Sequence, residues 1–217
     1  MARPPVSVAD LRQLLASRFP GKSGNPGGFV PTGVPAMDEA LGGGLALGRL
    51  TELVVAEPGC GGQSLLMQLL RTTRGARQRV ALVDGADAFA PECAPPDALR
   101  HLVWVRCATV AQALGAADLL VRDGNYVVVI VDLCGCAQRE LRRIPATLWH
   151  RMHRAAQTGG AVLIKTPQPL VPAVAWRLVL TARHGLAALR LLREAVVDNI
   201  TVDIDRGYAQ AGEERAG

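Results

Sequence analysis

The sequence predicts an α/β fold with a mainly parallel central sheet and antiparallel strands at its C-terminal edge. Between residues 49 and 165, short apolar runs alternate with amphipathic stretches of helical period. This alternation is typical of strand–helix–strand units in a parallel sheet. After residue 175 the apolar residues alternate more loosely, which favours a hairpin. The length of 217 residues suits one domain with short extensions.

The strongest strand signal is the run at 126–132 (YVVVIVD), which is apolar almost throughout and ends in Asp132. Runs of this kind are buried on both faces, as central parallel strands are. Shorter apolar runs predict further strands at 49–55, 80–83, 101–105 and 161–165. At the C-terminal end, segments 176–181 and 189–193 predict an antiparallel hairpin around His184 and Gly185, and segment 200–205 predicts a last strand.

Helical periodicity predicts helices between these strands, at 36–41, 64–73, 110–121 and 145–157. In the last of them, four apolar side chains are expected to face inward: Ile144, Leu148, Met152 and Ala155. Four basic residues then share the opposite face: Arg143, His150, Arg151 and Arg154. That face is either a solvated surface or a surface for phosphate groups or an acidic partner. Candidate partner-binding residues are therefore Arg143, Arg151 and Arg154.

The sequence predicts three parts. Residues 1–31 form an N-terminal helix and a flexible linker, residues 32–207 form the core, and residues 208–217 form a disordered tail. The segment 7–10 has the form of a helix-opening capping box, and the segment 21–31 is rich in Gly and Pro. An apolar stripe on the helix must be buried, either on the same domain or on a neighbouring subunit. Its candidate partner-binding residues are Leu11, Leu15 and Phe19.

Composition sets broad limits on function. A net charge of +5 and a pI near 9.3 permit contact with nucleic acid or an acidic partner without requiring either. Five cysteines without regular paired spacing predict reduced thiols in a cytoplasmic protein, and no metal site is expected. No run of 18 apolar residues occurs, so neither a membrane span nor a signal peptide is expected.

The most informative motif is the segment 57–64 (EPGCGGQS), which is similar to a phosphate-binding loop without its lysine. The full pattern, G-x-x-x-x-G-K-[ST], follows a buried strand and opens a helix. Backbone N–H groups at Gly59, Gly61 and Gly62 could cradle phosphates. Ser64 and Asp132 could hold Mg²⁺. Cys134 and Cys136 follow Asp132 directly and could line the floor of this site.

Two substitutions in this loop oppose nucleotide binding. Gln63 stands at the lysine position, and a neutral amide cannot offset the charge of a triphosphate. Glu57 stands at the first glycine position, where one like-charge contact at about 4 Å costs on the order of 4 kcal/mol. Binding of ATP or Mg²⁺ is therefore not expected. The segment is interpreted as a tight strand-to-helix turn in which Ser64 caps the helix, and its vestigial site residues are Gly59, Gly61, Gly62, Gln63, Ser64 and Asp132.

The segments 32–45 (TGVPAMDEALGGGL) and 48–53 (GRLTEL) resemble the opening of the RecA recombinase core. The segment 81–89 resembles the next RecA strand and turn, where the family carries a catalytic Glu and this chain has Ala86. Asp132 matches the strand-terminal acid of the family. The residues 19–23 (FPGKS) resemble the end of its polymerisation helix. The resemblance covers about residues 7–182 and implies a three-layer α/β/α fold.

With these losses the chain most resembles the ImuA family. That resemblance implies a non-catalytic adaptor in bacterial SOS-induced translesion DNA synthesis, without a cofactor. It implies contacts with an ImuB-like protein, an error-prone polymerase and RecA itself. Self-association stays open, and DNA binding is expected to be weak or indirect because the segments after Asp132 and after residue 165 are short. Two alternatives remain: a weak ATPase or nucleotide sensor that uses Ser64, Asp132 and a partner's arginine, and a SulA-like cell-division inhibitor.

Overall fold

The computed structural model describes residues 28–205, except for 158, 173, 182, 183, 186, 187 and 189. The predicted N-terminal helix with Leu11, Leu15 and Phe19 lies outside the described residues, as do most of the linker and the tail at 208–217. No described helix combines the length and apolar character that a membrane crossing requires.

Nine strands are present in the described part of the chain. Two of them form a small antiparallel pair, β1 (Phe29–Val30) and β2 (Leu45–Ala46). The other seven form the central sheet: β3 (Leu50–Val54), β4 (Val80–Asp84), β5 (Leu102–Arg106), β6 (Val128–Asp132), β7 (Ala161–Thr166), β8 (Trp176–Leu180) and β9 (Val202–Asp205).

Seven α-helices connect these strands in the described part. They are α1 (Pro35–Ala40), α2 (Gly62–Gly75), α3 (Pro96–Leu99), α4 (Val110–Asp123), α5 (Gln138–Leu141), α6 (Ala146–Ala156) and α7 (Arg193–Asp198). A short 3-10 helix at Pro91–Cys93 precedes α3.

The central sheet has the order β5-β4-β6-β7-β3-β8-β9, and only the β8–β9 pair at its edge is antiparallel. This confirms the predicted α/β class, its mainly parallel sheet and its antiparallel C-terminal edge. The register of the parallel strands places Asp84 beside Asp132, and Asp132 beside Lys165. Three charged side chains therefore lie in one row where β4, β6 and β7 end.

Helices cover both faces of the sheet, so the fold has three layers. One core cluster contains Met37 of α1, Val197 of α7 and the apolar residues of α2. A second cluster contains the apolar residues of α4 and α6. Strand β6 contributes to both clusters, because Val128 and Ile130 belong to the first and Val129 and Val131 to the second. Such burial on both faces is what the continuous apolar run predicts.

The predicted strand at 189–193 was wrong. Leu189 lies outside the described residues, but Leu191 and Leu192 are exposed and α7 begins at residue 193. Helix α7, which begins at the end of this segment, packs against α2 and buries Val197. The antiparallel partner of β8 is β9, with Arg177 opposite Asp205 and Leu180 opposite Val202.

The inward face predicted for the helix at 145–157 was partly wrong. Helix α6 buries Trp149, Met152 and Ala156, whereas Leu148 and Ala155 are only half-buried. Two buried positions, Trp149 and Ala156, each lie one residue after a predicted one, because the large indole of Trp149 is inside.

A buried carboxylate links the edge strands to the centre of the sheet. Glu52 of β3 is fully buried, and its Oε1 accepts hydrogen bonds from the backbone N–H groups of Leu170 at 2.6 Å and Val171 at 3.0 Å. The Thr166 hydroxyl donates to the same oxygen at 3.1 Å. Arg177 of β8 donates from Nε to Oε2 at 2.7 Å. The connection between β7 and β8 is therefore fixed to β3.

We predict that Glu52→Ala lowers the free energy of unfolding by about 3–5 kcal/mol, because it leaves the guanidinium of Arg177 without its buried partner. Urea denaturation measures this loss. The matched control is Glu194→Ala, which removes an exposed carboxylate paired with Arg71 and should cost less than about 1 kcal/mol. Equal losses in the two variants would contradict the structural role of Glu52.

Candidate functional site

The segment between β3 and α2 turns sharply at two glycines. Gly59 and Gly61 have φ angles of 86° and 89°, a left-handed conformation that glycine adopts without a steric penalty. Helix α2 begins at Gly62, and its N-cap is Gly61, which has no side chain to cap it. The strand-to-helix turn is confirmed, but the prediction that Ser64 caps the helix was wrong. Ser64 lies half-buried within the first turn of α2.

Gln63, at the position of the missing lysine, contacts the segment that follows β4. Its Nε2 donates to the carbonyl of Ala88 at 3.3 Å. That segment is held by the buried carboxylate of Asp84, which accepts from the backbone N–H groups of Ala88 at 3.0 Å and Phe89 at 2.9 Å. Gln63 therefore connects the start of α2 to a rigid turn, a structural role that needs no phosphate.

Ala86 lies in the same turn and faces the segment after β6. A Cβ atom added to Gly135 would fall 2.6 Å from the Cβ of Ala86. The two segments are thus in close contact at the position where the RecA resemblance implies a catalytic glutamate. A methyl group at this position supplies no carboxylate to orient a water molecule.

The principal feature of the site is an ion pair that the sequence analysis missed. Lys165, near the end of β7, donates from Nζ to Oδ2 of Asp132 at 2.6 Å. Both residues are more than nine-tenths buried, with 7% and 4% of their surfaces exposed. The other oxygen of Asp132 accepts from the backbone N–H of Cys134 at 3.0 Å. Asp132, one of the vestigial site residues, is therefore already paired with a cation.

Lys165 also lies directly beneath the loop. A Cβ atom added to Gly62 would fall 3.2 Å from Cε of Lys165. The lysine that the loop lacks thus has a counterpart on a neighbouring strand, 102 positions after Gln63 in the sequence. Two sequence signals could have indicated it: one lysine interrupts an otherwise apolar strand, and that strand ends at the same sheet edge as Asp132.

The loop forms one wall of a cleft of about 610 Å³. The opposite wall includes His184 and Val196, and the floor includes Cys134 and Lys165. The backbone N–H of His184 donates to the carbonyl of Gly59 at 3.0 Å. The segment after β8 therefore holds the loop in place from its outer side.

Burial disfavours the thiolate form of the two cysteines after Asp132. Burial is the main cause that raises the pKa of Cys134 to about 12 and the pKa of Cys136 to about 11. Both side chains are consequently protonated near neutral pH, whereas nucleophilic attack and metal binding require the thiolate. Among the described residues, no group of three or more His, Cys, Asp or Glu side chains is placed to hold a metal ion.

The basic residues predicted to share one helical face are divided between two places. Arg143 precedes α6 instead of belonging to it, and it lines a groove between α4 and the α5–α6 segment together with Arg151 and Leu148. Leu148 therefore lies beside Arg151 and not opposite it, which corrects the helical-face prediction. Arg154 does not line this groove. The structure thus brings Arg143 and Arg151 together and leaves Arg154 apart.

No protein-family model matches the chain. Protein RecA of Streptomyces ambofaciens is 33% identical to it over 118 residues, which is 53% of this chain and 32% of that protein. Protein RecA of Acidothermus cellulolyticus is 35% identical over 106 residues, and Protein RecA of Methylococcus capsulatus is 36% identical over 106 residues. Each of these two matches covers 48% of this chain and 30% of the relative.

The similarity to RecA proteins is therefore partial on both sides. It spans about half of this chain and about a third of each relative. The similarity and the sheet topology agree on the architecture. The chain has a RecA-like α/β fold, with an antiparallel strand pair added at the C-terminal edge of the sheet.

Proposed function

We propose that this chain is a non-catalytic RecA-like adaptor of the ImuA type in bacterial SOS-induced translesion DNA synthesis. In this role it bridges an ImuB-like protein and an error-prone polymerase, and it contacts RecA. The observation that carries the proposal is the buried pair of Lys165 and Asp132. The partners come from the resemblance to the ImuA family.

The pair argues against a working ATPase on electrostatic grounds. A Mg²⁺ ion at Asp132 would have to displace an ammonium group that contacts the carboxylate at 2.6 Å. The displaced ammonium would remain buried beside a divalent cation, and buried like charges repel strongly. The loop itself offers Gln63, which already donates to a backbone carbonyl. The candidate metal ligand Asp132 is thus paired with Lys165, and Gln63 stands where a phosphate-neutralising lysine is expected.

Other cations near the loop are engaged elsewhere. Arg71 and Arg74 of α2 are the nearest arginines in the sequence, and they pair with Glu194 at 2.8 Å and with Asp97 at 2.9 Å. Neither of these arginines supplies the charge that a triphosphate would need. This supports a site without nucleotide turnover.

The segment after β7 supports weak or indirect DNA contact. The RecA resemblance implies a DNA-binding loop in this region, but here Leu170 and Val171 donate their backbone N–H groups to Glu52. Val171 and Val174 are buried in the core. The backbone N–H groups of Leu170 and Val171 and the side chains of Val171 and Val174 are therefore not available to DNA.

One observation favours the second candidate, a nucleotide sensor. Lys165 is a lysine on the floor of the loop cleft, and release from Asp132 would direct its ammonium group towards a phosphate. This candidate requires measurable nucleotide affinity, which the adaptor does not.

We predict that ATP with Mg²⁺ produces no saturable heat in calorimetry at nucleotide concentrations up to roughly 1 mM, a limit that corresponds to about −4 kcal/mol of binding free energy. The matched variant is Lys165→Met, measured at a temperature where circular dichroism shows that it is folded, and it should give the same flat trace. Saturable heat in the natural chain that disappears in Lys165→Met would establish the sensor and overturn the proposal of a nucleotide-free adaptor.

The buried pair itself can be tested by a double-mutant comparison. Lys165→Met alone should lower the free energy of unfolding by about 3–5 kcal/mol, because Asp132 keeps a buried charge without a partner. Adding Asp132→Asn should recover most of the loss, since the amide oxygen still accepts from Cys134 while the charge is gone. Thermal or urea unfolding measures both. A double variant that is less stable than Lys165→Met would show that the carboxylate matters for another reason.

The adaptor role predicts direct binding of the purified chain to an ImuB-like protein from the same organism. Ser64→Ala should bind equally well, because an adaptor does not use the loop for metal or phosphate. Surface plasmon resonance with the immobilised ImuB-like protein measures both affinities. If neither that protein nor the polymerase binds, alone or together, the adaptor proposal fails.

A further inference from the structure

The groove between α4 and the α5–α6 segment has an apolar floor and a charged rim. Its volume is about 380 Å³. Leu114 of α4 is buried at its base, and Ile144 and Leu148 are half-buried along its side. Arg143 and Arg151 are exposed at its mouth. We call this feature the arginine-rimmed groove.

The rim carries positive charge that the protein does not neutralise itself. Arg143 makes no ion pair with any residue that the structure describes. Arg151 shares the single carboxylate of Asp118 with Arg122, at 3.2 and 3.1 Å. The carboxylate of Glu140 also lines the groove, but it accepts from the backbone N–H of Val110 at the start of α4. An incoming carboxylate would therefore meet the unpaired guanidinium of Arg143 and that of Arg151, which shares its carboxylate with Arg122.

The apolar floor selects a protein segment over a nucleic acid. Phosphate backbones bind to exposed cations and gain nothing from side chains such as Leu114, Ile144 and Leu148. An amphipathic helix, in contrast, buries its apolar face in a groove of this kind and leaves its polar face at the rim. Carboxylates on the polar face complement the charge of Arg143 and Arg151.

The chain's own apolar segments fit this groove poorly by charge. Residues 7–22 carry Asp10 against Arg12, Arg18 and Lys22, so that segment is itself basic. The exposed Leu191 and Leu192 of a second copy are flanked in sequence by Arg190 and Arg193. A basic segment would be repelled by the rim. An acidic amphipathic helix of a partner protein matches both properties.

We propose that the arginine-rimmed groove docks an acidic amphipathic segment of a partner protein. Apolar side chains of that segment pack against Leu114, Ile144 and Leu148, and its carboxylates pair with Arg143 and Arg151. The inference rests on the proposed adaptor function, which requires a partner contact, and it specifies the chemistry of one such contact.

Fluorescence anisotropy of the full chain with labelled helical peptides tests this proposal. The first peptide carries leucines at i, i+3, i+4 and i+7 with glutamates between them. The second replaces every glutamate by lysine, and the third replaces every leucine by serine. We expect saturable binding of the first peptide alone, with an affinity that falls as the salt concentration rises.

Two variants should weaken binding of the first peptide by roughly tenfold, the effect of about 1.4 kcal/mol. Arg143→Glu reverses a rim charge, and Ala111→Glu places a carboxylate on an exposed position of the groove wall. Their matched controls are Arg154→Glu and Gln112→Glu, which make the same charge changes outside the groove. The controls should stay within about twofold of the natural chain because neither side chain lines the groove. All four positions are exposed, and unchanged thermal unfolding verifies that each variant is folded.

Several results would overturn the proposal. One is the absence of saturation by the first peptide up to roughly 1 mM; another is equal binding of the lysine peptide. A short single-stranded DNA that binds to the chain and is released by Arg143→Glu would identify a nucleic-acid surface instead. Sedimentation that changes with Arg143→Glu in the absence of peptide would identify a second copy as the occupant.

The outcome is separable from that of the adaptor proposal. If the chain binds the acidic peptide in the groove but binds neither the ImuB-like protein nor the polymerase, the groove proposal stands and the adaptor proposal fails. If the Arg143→Glu and Ala111→Glu variants bind the partners as well as the natural chain does, the adaptor proposal stands and the groove is rejected as the docking site.

Discussion

The contact between Lys165 and Asp132 determines what the cleft above the sheet can do. In a nucleotide hydrolase, the carboxylate at this strand end binds a metal ion, and the metal ion coordinates the phosphates. Here the ammonium group of Lys165 pairs with the carboxylate of Asp132. The ordered turn around Gly59 and Gly61 remains, because its backbone geometry is needed to join β3 to α2.

Strand β7 joins this site to the rest of the sheet. Its penultimate residue, Lys165, holds Asp132, and its last residue, Thr166, donates to the buried Glu52. Glu52 in turn fixes the segment before β8 and the guanidinium of Arg177. Two buried carboxylates on β3 and β6 are therefore satisfied largely by residues of β7 and the chain that follows it.

Much of the fold could be predicted from the sequence, since apolar runs and helical periods are local signals. The run ending at Asp132 and the glycine-rich turn predicted the central strand and the start of α2 correctly. The ion pair was missed because it joins residues 33 positions apart, whose proximity depends on strand order. The strand predicted at 189–193 failed because Leu191 and Leu192 are exposed and do not join the sheet, and a short run rich in leucine does not reveal this.

The partners of Glu52 have a consequence for how the chain folds during synthesis. Its hydrogen-bond donors lie 114 to 125 residues further along the sequence, so β3 is made long before its buried charge can be matched. Strand β3 can enter the core only after β7 and β8 have emerged from the ribosome, because burial of the unpaired Glu52 carboxylate costs too much free energy. Closure of the sheet therefore depends on long-range contacts, which slow folding. The N-terminal half of the chain therefore stays incompletely packed until the C-terminal half has been synthesised.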